Sequence, residues 1–147
     1  MIKEAYRYVV SENKEVYVFQ SEGQNGKIIK IVVFSPVGKK LWNLGFGDLQ
    51  NDGDIDDSIV SNNEDLIKVI STVAVITYEF SDMYPSRQIR IVPVDEKRKK
   101  LYNHVFRRNY ALINANFTIV GFSNKKKEKY SPEKFYDSFQ LNRKLKK

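Results

Sequence analysis

Cations and aromatic rings are the residues with chemical potential that this sequence gathers together. Lys97, Arg98, Lys99, Lys100, Arg107 and Arg108 fall within twelve positions, with Tyr102 among them, and Lys125-Lys126-Lys127 follows. Cationic side chains neutralise phosphates, and unpaired bases stack on aromatic faces. A cationic groove with exposed rings is therefore the pattern of single-stranded nucleic-acid binding. On this reading Lys97, Arg98, Lys100, Arg107, Arg108 and Lys125, Lys126 and Lys127 contact phosphates, and Tyr102 stacks on a base. Tyr6, Tyr8, Tyr17, Phe19 and Trp42 are further rings, but they lie on expected strands, where aromatics mainly fill cores.

Other chemistries have weaker support. Nucleophilic catalysis needs a nucleophile, a base and a group that orients the base. The chain has one histidine, His104, and no cysteine. No partner motif accompanies His104, so no catalytic residue is assigned. Asp52-Gly53-Asp54-Ile55-Asp56-Asp57 is the best candidate for a hard cation, since alternating carboxylates can surround one. A calcium loop of the EF-hand type needs glycine sixth and glutamate twelfth. Counting from Asp52, those places hold Asp57 and Asn63, so no metal is expected. Gly45-Phe46-Gly47-Asp48 lacks the third glycine of a dinucleotide loop. Gly38-Lys39-Lys40 lacks both the upstream glycine and the following hydroxyl residue of a phosphate loop. No cofactor is expected.

The distribution of charge agrees with the cationic cluster. Of 147 residues, 25 are basic and 18 acidic, a formal net charge of +7. Up to Pro85 there are eight basic and thirteen acidic residues; beyond it there are seventeen basic and five acidic. The first part therefore carries −5 and the second +12, which suggests two electrostatic faces. Without cysteine there are no disulfides and no thiolate metal sites. No run of 18 apolar residues is present, so no membrane partner is expected. The opening Met1-Ile2-Lys3-Glu4-Ala5-Tyr6-Arg7 has no apolar signal region, and a cytoplasmic location is the expectation.

The elements that must position these residues are legible in outline. Alternation in residues 4–10, the β-branched and aromatic run 15–21, the strongly apolar 27–34 and the alternating Trp42, Leu44 and Phe46 predict four antiparallel strands in a meander. Gln24-Asn25-Gly26 suits a tight hairpin turn, and Ser35-Pro36-Val37-Gly38 a turn with proline second. A long helix follows, capped by Asn62 or Asn63 and ended by Pro85. Ile70 to Thr77 is rich in β-branched residues, but a run of about twenty residues is too long for a strand. Residues 88–94 predict a fifth strand. Asp95 caps a basic helix reaching about Asn116, with Leu101, Tyr102, Val105, Phe106, Tyr110 and Ile113 on its apolar side. Four cations in its first turns oppose the helix dipole. Residues 117–122 read as a short strand, 125–129 as an exposed loop, and 135–141 as a last strand or helical turn. The fold class is thus α+β: a four-stranded antiparallel meander, a long helix, a further strand, a basic helix and a short C-terminal strand. Residues 1–142 form a single domain on this reading, and 143–147 a basic tail.

Leu44-Gly45-Phe46-Gly47-Asp48, Ile55-Asp56-Asp57, Asn63, Thr72-Val73-Ala74, and Arg98 followed by Leu101-Tyr102 resemble a small uncharacterised bacterial family of unknown function, over most of the chain. Where that family leads one to expect a Gly-Ser-Thr turn before the helix arginine, this chain has Pro93-Val94-Asp95. The order of four strands and a helix also resembles the whirly-like superfamily that binds single-stranded nucleic acid, a likeness of element order alone.

The leading expectation is a non-enzymatic protein that binds single-stranded nucleic acid with weak sequence preference. The alternatives are a protein-interaction module of a toxin–antitoxin or phage-defence pair, docking a partner of opposite charge, and a small ribonuclease that works without a histidine pair. A homodimer is a further expectation, since a meander with an exposed face needs cover.

Overall fold

The computed structural model describes residues 4–24, 26–49, 55–56 and 65–145. The chain is α+β and divides into two compact units, residues 1–35 with 45–83, and residues 36–44 with 84–147. The Asp52–Asp57 metal candidate (apart from residues 55 and 56), the helix caps Asn62 and Asn63, and Asn25 of the expected turn lie outside the described residues.

The first unit contains the meander. Strand β1 (Tyr8–Val10) pairs antiparallel with β2 (Val16–Gly23), and β2 with β3 (Gly26–Pro36). The β2–β3 hairpin closes at Gly23 opposite Gly26, whose φ of 86° is left-handed and therefore glycine's own. β3 lies between β2 and β4 (Leu41–Leu49), the central place that its apolar run predicts. It runs through Pro36, so the link to β4 is Val37 to Lys40 rather than a turn centred on Pro36. A two-residue strand β5 (Ile55–Asp56) pairs with the end of β4.

Helix α1 (Leu66–Met83) buries Val69, Thr72, Ile76, Thr77 and Phe80, at the spacing of one helix face. Its β-branched content is accommodated locally. Thr72 and Thr77 donate their hydroxyls to the carbonyls of Lys68 and Val73, each four residues back. Phe80 stacks on Phe34, with ring centres 3.9 Å apart.

In the second unit, the start of β4 pairs parallel with β6 (Gln88–Ile91). β6 pairs antiparallel with β9 (Ser138–Arg143), β9 with β7 (Phe117–Ser123), and β7 with β8 (Lys126–Lys129). Two helices connect β6 to β7: α2 (Glu96–Arg108) and α3 (Tyr110–Asn116). The single basic helix expected from sequence is thus interrupted at Asn109, whose side chain donates to the carbonyl of Val105 and competes with the helix backbone there. The expected loop at 125–129 is instead the turn and outer strand of a hairpin. Arg143, expected in the tail, closes β9 and is buried.

Candidate nucleic-acid interface

The orientation of α2 follows from its inward-facing contacts. Asp95 is the N-cap, as predicted; one carboxylate oxygen accepts from the backbone N–H of Arg98 at 2.8 Å. The other accepts from the Arg98 guanidinium at 2.8 Å. Arg98 is only 6% exposed, so the residue expected to grip phosphate instead holds the first turn of its own helix. Asn103 is buried and fixes the helix rotation. Its amide donates to the Tyr136 carbonyl and accepts from the Tyr136 N–H, both at 2.8 Å. Phe106 stacks on Phe139 with ring centres 4.2 Å apart. Tyr102 is half-buried on the same inward side, away from the exposed cations.

With that side committed, the opposite side is determined. At about 100° per residue, Lys97, Lys100, His104, Arg107 and Arg108 fall in an arc of about 100° facing away from Phe106. All five are exposed. Arg107 donates Nε–H to the Pro132 carbonyl at 3.1 Å, which holds its guanidinium against the surface. Among the described residues, none of Lys97, Lys100, Arg107 and Arg108 takes part in an ion pair. The four early cations therefore divide: Arg98 and Lys99 have carboxylate partners, while Lys97 and Lys100 face solvent.

Asp137 connects this stripe to the lysine hairpin. It pairs with Lys99 at 2.5 Å, and its second oxygen accepts from the Asn124 N–H at 3.0 Å. These contacts hold the Asp137 carboxyl below its ordinary range and raise Lys99. Asn124 and Lys125 have φ of 51° and 67°, and Ser123 pairs with Lys126. That is a two-residue turn with both central residues left-handed, where glycine normally takes the second place. Lys125, Lys126 and Lys127 are exposed. Beyond the tip, Glu128 pairs with Lys134 at 2.8 Å, which lowers the Glu128 carboxyl. Glu128 also accepts from Tyr136, whose ring lies over Gly121; a Cβ there would overlap that ring. Burial, above all, raises the Tyr136 and Tyr130 hydroxyls.

The other rings named from sequence are largely core. Tyr17 and Phe19 are buried. Tyr6 stacks on Phe19, and burial followed by its bond to Asp65 raises its hydroxyl. Trp42 lies 4.0 Å from the Arg87 guanidinium, which also stacks on Tyr84. Among the described residues no group of three or more acidic or histidine side chains could hold a metal, and no helix is long and apolar enough to cross a membrane.

Neither a curated protein nor a solved structure matches the chain, so the whirly-like resemblance finds no support. The resemblance to a family of unknown function holds: residues 2–144 match the model of the family of unknown function DUF6934, and the chain belongs to that family.

Proposed function

We propose that this protein binds nucleic acid without acting on it, single strands in preference to duplex and with little sequence selectivity. The observation that carries the reading is the exposed cationic stripe of α2, with the lysine hairpin tied beside it through Asp137. Lys97, Lys100, Arg107, Arg108 and Lys125 to Lys127 contact phosphates, while Arg98 and Lys99 hold the helix that presents them. Phosphates lie a few ångströms apart along a strand, and cations one turn apart on a helix can follow them.

Fluorescence anisotropy against labelled single-stranded DNA, single-stranded RNA and duplex, over a salt series, tests the reading. Binding falls steeply with salt, because each neutralised phosphate releases counterions. The Lys100→Glu/Arg108→Glu variant lowers affinity about tenfold or more and flattens the slope by about two contacts. Affinity that barely changes with salt would exclude the phosphate-driven mechanism.

A further inference from the structure

The sheet of the second unit has two unlike faces. One carries Phe117, Ile119, Phe139 and Leu141, and Phe106 of α2 packs against it. Cross-strand register places a different set on the other face. Arg90 stands opposite Gln140, Gln140 opposite Val120, and Val120 opposite Lys129, one row across four strands. Directly paired residues share a face, so Arg90 and Lys129 are about 14 Å apart on one surface. In neighbouring rows stand Asn142 and, paired with each other, Phe122 and Lys127. Arg90, Lys127 and Lys129 are exposed; Phe122, Gln140 and Asn142 are half-buried.

No acidic side chain of the four paired strands lies on this face. Glu128, the one carboxylate in them, alternates to the helix side. The amides of Gln140 and Asn142 are joined, Nε2–H donating to Oδ1 at 3.0 Å. That bond leaves the Gln140 carbonyl oxygen and the Asn142 amide N–H without a hydrogen bond among the described residues. One acceptor and one donor therefore stand side by side between cations, with an aromatic ring one row away. A duplex shows a complementary pair, the N6–H and N7 of adenine, only at the floor of a major groove about 12 Å wide, too narrow for a four-stranded face about 14 Å across, whereas unpaired bases can be splayed onto it.

We infer that this open sheet face is a second nucleic-acid surface that receives unpaired bases, with Gln140 and Asn142 bonding base edges, Phe122 offering a ring face, and Arg90, Lys127 and Lys129 holding the backbone. The inference rests on the nucleic-acid reading above and adds to it the reason for a preference for single strands. Charge complementarity selects a polyanion. A second copy seated here about a two-fold axis would bring cations against cations.

The test titrates a labelled oligothymidylate, and the same strand annealed to its complement, into three proteins. Wild type binds the single strand more tightly. Gln140→Ala/Asn142→Ala lowers single-strand affinity about tenfold and leaves duplex affinity unchanged, since the amides meet only unpaired bases. Lys100→Glu/Arg108→Glu weakens both ligands alike. Arg90→Glu, at an exposed position, repeats the measurement should the amide variant fail to fold. Sheet variants that leave single-strand binding intact, or weaken both ligands equally, overturn the inference while the helix stripe stands. A dimer that Arg90→Glu converts to monomer also overturns it, by giving the face to a second copy. Wild type that binds neither ligand at low salt overturns the nucleic-acid reading itself.

Discussion

The two units place their charge in opposite ways. In the first, polar groups turn inward and find partners. Lys30 pairs with Asp48 where both are buried, Tyr6 and Ser21 donate to Asp65, and Tyr8 donates to Glu79. In the second, Arg98, Lys99 and Lys134 have carboxylate partners, and among the described residues the α2 stripe and the hairpin lysines do not. Seventeen basic against five acidic residues beyond Pro85 leave most cations there without a carboxylate from their own stretch of chain. A run of cations is therefore not a single feature. Helix rotation and the few available acids decide which become struts and which face a ligand.

The sharpest way to break the contrast is to strand a charge in the first unit. Asp48→Ala removes the carboxylate that faces the buried Lys30 ammonium and is expected to cost about 3–5 kcal/mol in urea unfolding. Lys30→Met/Asp48→Leu removes both charges and is expected to restore most of that stability. A smaller loss tests the support of the hairpin. Gly121→Ala pushes a methyl into the buried Tyr136 ring and costs about 1–3 kcal/mol, seen as a lower melting temperature. Lys125→Gly works in the other direction. It relieves a left-handed lysine and stabilises the chain by about 1 kcal/mol, while weakening nucleic-acid binding. That opposition would show that the cation is retained at the tip despite its conformational cost.

The smallest effect is a pH dependence. The Asp137 and Glu128 carboxyls are lowered in the folded chain, by Lys99 and Lys134 respectively. Their contribution is present above the ordinary carboxylate values of 3.8 and 4.5 and is lost as pH falls through the lowered ones. Melting temperature should drop in that acid window, and Asp137→Asn/Glu128→Gln should remove this part of the drop. Lys99 and Lys134 are raised, so their part persists below 10.5 and is lost only in strong alkali.

Local physics made much of this fold legible. The apolar run of β3 marked a central strand, the length of α1 outweighed its β-branched residues, and Asp95 marked the start of α2. The hairpin arm Lys126–Lys129 was not legible, because four charged residues have little strand preference of their own. Pairing with β7 makes it a strand, and its lysines suit an outermost position, where charge discourages further strand addition. The candidate site was legible as a composition but not as a surface. Arg98 and Lys100 look alike in sequence; Asn103, which fixes the rotation of the helix, separates them. The open sheet face was hidden because its residues lie on four separate strands and share no motif.

Trp42 is the chain's sole tryptophan, and it lies in the second unit against the Arg87 guanidinium. Indole emission thus reports the loss of structure around β4 and β6, whereas far-ultraviolet dichroism averages the whole backbone. Coincident midpoints in a denaturant titration would mark one cooperative transition. A gap between them would reveal, without any introduced label, a partly unfolded state in which the surroundings of β4 and β6 differ from the rest.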